Sequence, residues 1–149
     1  MKTKPRQPVL LAAPPDILRW SPRSSGHGDC TVAALELACG VTYEKALAAA
    51  LLTEPDVLDL GMTLVGICAV VQALGFSTRL HRQFDISEDT GILSVEQPRF
   101  KNSKHVVYLW EGRVIEPKSD RRQLWLDADQ FLKHYRYKAD TLIEIVGNG

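Results

Sequence analysis

The segment that most restricts the fold is His105-Val106-Val107-Tyr108-Leu109-Trp110, followed by Glu111-Gly112 and then Arg113-Val114-Ile115. Two β-favouring runs joined by two residues, the second a glycine that tolerates positive φ, specify a tight antiparallel hairpin. That turn sets Trp110 opposite Arg113, and carrying the pairing outward sets Val107 opposite Glu116 and His105 opposite Lys118. Alternate residues share a sheet face, so His105, Val107, Glu116 and Lys118 belong to one face, with Glu116 diagonal to His105. Further runs at Phe76–Arg82, Gly91–Val95 and Thr141–Val146 read as strands from their period-two alternation and β-branched residues.

Ahead of Gly75 the texture is helical. Cys30–Cys39 is rich in Ala and Leu, follows Asp29 as N-cap and is closed by Gly40. A second helix is expected over Thr42–Leu52, and a third from Thr63 as N-cap to Leu74 with Gly75 beyond it. Asp127 with Gln130 resembles a capping box for a short helix, Ala128 to Tyr135. Helices first and antiparallel strands second predict an α+β domain of two segregated layers, N-terminal helices packed on a C-terminal antiparallel β-sheet. Residues 1–25, with five prolines, read as an extended N-terminal arm, and residues 26–149 as a single domain.

Composition narrows the function classes. The 149 residues carry 18 Lys and Arg against 18 Asp and Glu, which excludes a polyanion-binding tail, and 45% hydrophobic with 24% charged residues fits an ordinary folded domain. Lys101, Lys104, Lys118, Arg121 and Arg122 form a locally basic stretch, but five acids interleave between Lys101 and Lys138, so a solvated face is expected rather than a nucleic-acid site. The longest apolar run, Leu64–Leu74, is broken by Gly66 and Gln72 and falls short of the ~18 residues of a membrane span. The apolar stretch Val9–Ala13 is shorter than the ~7–15 residues of a secretory core, so a cytoplasmic location is expected. Cys30, Cys39 and Cys68 are odd in number and lack CxxC spacing, which argues against a disulfide framework and a zinc knuckle. His27-x-x-Cys30 has no second pair, and His27, His81 and His134 lack partners at ligand spacing; neither a metal nor an organic cofactor is implied.

One cysteine is placed for chemistry. Ser24-Ser25-Gly26-His27-Gly28-Asp29 leads into a helix that opens on Cys30, at the positive end of the helix dipole, where a thiolate is favoured and free backbone N–H groups can hold an oxyanion. The Asp29 carboxylate opposes the thiolate, so activation requires a histidine. His105, at the edge of an apolar strand, is the candidate, and a carboxylate diagonal to it would fix the ring's tautomer while the other nitrogen faces the thiol. Glu116 fits that role, and Asp120, of the same parity, is a second candidate. Cys39 and Cys68 lie within apolar helices and read as packing residues.

The ordered features Gly28-Asp29-Cys30, a helix ending Ala73-Leu74-Gly75, the strand Gly91-Ile92-Leu93, and His105-Val106-Val107-Tyr108-Leu109 followed by Glu116-Pro117 resemble the papain-like cysteine peptidases that cut bacteriocin leader peptides after a double glycine. The likeness covers roughly Gly28 to Pro117. It implies a papain-like fold, Cys30 as nucleophile, His105 as base, Glu116 as orienting carboxylate, and a peptide or protein substrate. The family's oxyanion-hole glutamine, about six residues before its cysteine, is replaced by Ser24, and its Asp-Pro by Glu-Pro. A related cell-wall amidase or endopeptidase, and a peptide-binding module of the same fold without turnover, are the alternatives. Oligomeric state is not readable from the sequence.

Overall fold

The computed structural model describes residues 10–11, 29–57, 62–96, 104–116 and 124–147. Its elements in chain order are β1 (Leu10–Leu11), α1 (Asp29–Cys39), α2 (Tyr43–Thr53), α3 (Leu64–Ala73), β2 (Phe76–His81), β3 (Thr90–Glu96), β4 (Lys104–Trp110), β5 (Arg113–Glu116), β6 (Leu124–Asp127), α4 (Ala128–Tyr135) and β7 (Lys138–Gly147). The helices begin where side-chain caps satisfy first-turn N–H groups. The Thr42 hydroxyl accepts from the Lys45 amide at 3.2 Å, Thr63 from Gly66 at 3.1 Å, and Asp127 from Gln130 at 2.9 Å. Gly40, at φ 64, ends α1 in the left-handed conformation expected of a terminating glycine.

All strands join one antiparallel sheet in the order β1-β6-β5-β4-β3-β7-β2. The expected hairpin forms in the expected register, Trp110 opposite Arg113, Leu109 opposite Val114 and Tyr108 opposite Ile115. Its two turn residues, Glu111 at φ 41 and Gly112 at φ 84, both take positive φ, the signature of the I′ turn that matches strand twist. The chain folds as an α+β domain with α1, α2 and α3 packed against the sheet.

The layering departs from expectation. Two layers are read from the sequence, whereas α4 covers the other sheet face and makes a third. Val32, Leu35, Ile67, Val70 and Val71 from the first three helices pack with Ile92, Val106 and Ile143 on one face. Phe131 and Leu132 of α4 pack with Leu93, Val95, Val107 and Leu109 on the other. The physical reason is visible in β3 and β4, where Gly91–Val95 and Val106–Leu109 are buried at every position instead of every second one. Strands β6 and β1 are also additions, β6 pairing with β5 and the two residues of β1 with Leu126 and Trp125 of β6, so Leu10 and Leu11 supply an edge to the described sheet. Strand β7 starts three residues before the predicted Thr141, with a register shift that sets Ser94 opposite Thr141 but Val95 opposite Ala139.

Candidate active site

The site is positioned by the way α1 lies along β4. Ala33 and Leu37 pack on Tyr108, with Ala38 and Trp110 against them, so the C-terminal half of α1 meets the C-terminal half of β4. Cys30 is the second residue of α1, which begins at Asp29, the residue expected as its N-cap, and the Cys30 side chain lies outside the described residues.

His105 is paired with Val95 of β3, on the face that carries Val107 and Leu109, while α1 lies on the face of Val106 and Tyr108. The half-buried imidazole stacks on the Tyr137 ring, centroids 5.9 Å apart and planes 26° from parallel, within the range in which aromatic pairs add about 0.5–1.5 kcal/mol. Tyr137 itself stacks on Tyr135 at 5.6 Å and 27° and meets Phe131 at 5.6 Å and 42°. Its place is set by the end of α4. The Tyr137 amide donates to the Leu132 carbonyl at 2.9 Å and the Arg136 amide to Lys133 at 3.3 Å, with Arg136 left-handed at φ 56. This is a Schellman turn built without glycine. Nothing in the sequence pattern singles out Tyr137, because the αL position that would announce the turn holds Arg136.

Glu116 closes β5 and pairs with Leu124 of β6, with the parity of Val114, which faces Leu109. Its side chain lies outside the described residues, as do Ser24 and Asp120, so these three roles are unplaced. Also missed by sequence reasoning is Ser94, fully buried between Val106 and Thr141, whose hydroxyl has no hydrogen-bond partner.

The remaining sequence candidates fall into the core or the surface. Cys39 packs in the helical core, where burial pushes its thiol up to about 11, and half-buried Cys68 packs against the same cluster. His81 Nε2 lies 3.1 Å from Glu144 Oε1, and His134 packs edge-on to Tyr135 at 4.7 Å. His27 lies outside the described residues. A cavity of about 330 Å³ opens at the far end of β4 beside Glu88, Asp89, Gly91, Tyr108 and Glu144, away from His105. Burial there raises the Tyr108 hydroxyl to about 12, so it stays protonated.

Cys30 is thus in the first turn of a helix laid on one face of an antiparallel sheet, and His105 is the second residue of the sheet's central strand. Among solved structures the chain is similar to the peptidase domain of Streptococcus ComA, a bi-functional ABC transporter involved in a quorum-sensing pathway, with a TM-score of 0.58 and 17% identity over 88% of this chain and 100% of that one. At that identity the likeness is one of fold. No family model and no curated protein matches the chain. Among the described residues no helix is long and apolar enough to cross a membrane.

Proposed function

We propose that the chain is a cysteine peptidase-like hydrolase that cleaves a peptide or amide bond of a peptide or protein substrate in the cytoplasm. The observation that carries this reading is the fold shared with a solved peptidase domain, and it is supported by the positions of Cys30 in the first turn of α1 and of His105 as second residue of β4. In this mechanism His105 takes the Cys30 proton and the thiolate adds to the scissile carbonyl. The oxyanion is held by first-turn amides of α1 and by the Ser24 hydroxyl. His105 then gives its proton to the leaving amine, and water, activated by the same imidazole, releases the acyl group from sulfur. Glu116 orients the imidazole and stabilises its charged form.

A second reading, a peptide-binding module without turnover, is favoured by one observation: the His105 ring stacks on Tyr137 on the sheet face opposite α1. Iodoacetamide alkylation across pH separates the two. The hydrolase requires Cys30 to react well below pH 8, in the range of activated thiols of about 3.5–7.5, and to lose that reactivity in His105→Ala. Ordinary thiol behaviour at Cys30, unchanged by His105→Ala, leaves only the binding module.

A further inference from the structure

We infer that Arg113, held on the Trp110 ring, is a carboxylate-binding site for a peptide ligand, a role that goes beyond the hydrolase reading and depends on neither Cys30 nor His105. The two half-buried side chains stand opposite one another across the Glu111-Gly112 turn, on the sheet face over which α1 lies. Trp110 packs with Ala38 against Ala33, Leu37 and Tyr108. Arg113 Cζ is 5.2 Å from the Trp110 ring centroid, a cation–π distance, so the guanidinium is placed before any ligand arrives and little side-chain freedom remains to be lost on binding.

This placed cation lacks a countercharge. Its Nε is buried and donates to nothing, and among the described residues no carboxylate pairs with it. Asp127, its cross-strand partner on β6, instead accepts from the Gln130 amide as the cap of α4. An orphaned donor on a charged group is a cost that cover for Trp110 does not require, because an apolar side chain in its place would shield the indole without it. A guanidinium is matched by planar oxyanions, which meet its donor fork in paired hydrogen bonds. The surroundings choose among them. Glu111 in the turn, Asp127 opposite, and Glu88 and Asp89 at the neighbouring cavity disfavour a doubly charged phosphate and leave a singly charged carboxylate. The cavity of about 330 Å³ gives room for the rest of the ligand. It shares Ala38 and Tyr108 with the Trp110 cluster, and Thr90 in its lining pairs with Trp110, so Arg113 and Thr90 stand two strand spacings apart, about 10 Å. An extended peptide covers that distance in about three residues.

The test follows the Trp110 indole N–H resonance of the full chain as three peptides are added. Acetyl-triglycine carries its carboxylate at the C-terminus, acetyl-Gly-Gly-Glu amide carries it on a side chain, and acetyl-triglycine amide has none. At least one carboxylate peptide should displace the resonance saturably, which identifies the source of the group, while the amide binds at least about tenfold more weakly. Arg113→Gln, its fold verified by circular dichroism, should abolish that difference, and Arg113→Lys, which keeps the charge without the fork, should restore only part of it. No saturable displacement, equal binding of the amide, a carboxylate preference that survives Arg113→Gln, or inorganic phosphate competing as well as the peptides overturns the inference. Should Arg113→Gln unfold, the comparison of carboxylate with amide in the wild-type chain decides. Ordinary thiol behaviour at Cys30 would overturn the hydrolase reading alone and leave this result standing.

Discussion

Ser94→Ala should stabilise the protein. The Ser94 side chain is fully buried on the helix-facing side of β3, and its hydroxyl has no hydrogen-bond partner. Burying an unpaired hydroxyl costs roughly 1–3 kcal/mol, and alanine removes that cost. Against it stands an oxygen-sized void of roughly 15 Å³, which at about 24 cal/mol per Å³ loses about 0.4 kcal/mol. The net gain is about 1 kcal/mol. With a urea m-value of about 2 kcal/mol/M, the midpoint followed by tryptophan fluorescence should rise by about 0.5 M at constant m. The internal control is Thr141→Val on the strand directly opposite, since the Thr141 hydroxyl donates to Asp140 at 3.1 Å and its removal should cost roughly 0.5–1.5 kcal/mol. Two hydroxyls at paired positions are thus expected to give opposite signs. A loss of stability in Ser94→Ala refutes the reasoning, because it requires a partner for that oxygen.

Other outcomes follow from single features of the fold. Arg136→Gly should gain about 1 kcal/mol in thermal unfolding, because the residue sits at φ 56, where a Cβ is strained and glycine is not. Gly91→Ala should lower stability by several kcal/mol and broaden the amide spectrum, since a Cβ there collides with the Ile143 carbonyl across the β3–β7 ladder. The Cys39 thiol, pushed from 9.0 to about 11, holds its proton more tightly folded than unfolded, so stability should fall as pH rises from about 9 to 11, and urea midpoints of Cys39→Ala should show a shallower decline. Below pH 9 the two proteins should show parallel pH dependence.

Legibility followed the range of the forces involved. The hairpin register was readable because Glu111-Gly112 fixes it locally, and α2, α3 and α4 because Thr42, Thr63 and Asp127 each satisfy a first-turn amide three residues away. β6 was not, because Leu124–Asp127 spans four residues and merges with the cap of α4, and the two residues of β1 have no periodicity to read. The third layer is not legible because strand alternation by itself implies one covered face, whereas the continuous burial of Val106–Leu109 marks cover on both. At the candidate site, the placement of Cys30 and His105 depended on a helix start and a strand start, both local signals. Tyr137 meets His105 only through a turn and a strand crossing, and no spacing rule connects residues 32 positions apart in sequence.

The strand order has a consequence for biosynthesis. Among the described residues β2 borders only β7, and β7 is inserted between β2 and β3, so residues 76–81 emerge from the ribosome more than fifty positions ahead of their partner. Until residues 138–147 follow, β3 lacks its β7 partner and β2 lacks the ladder described for it. The nascent chain can complete the β3–β4–β5 meander early, but the sheet closes in a single late step. A ribosome-bound chain stalled just short of Lys138 should therefore be digested by protease at Phe76–His81, and one stalled with residue 147 clear of the exit tunnel should be protected there.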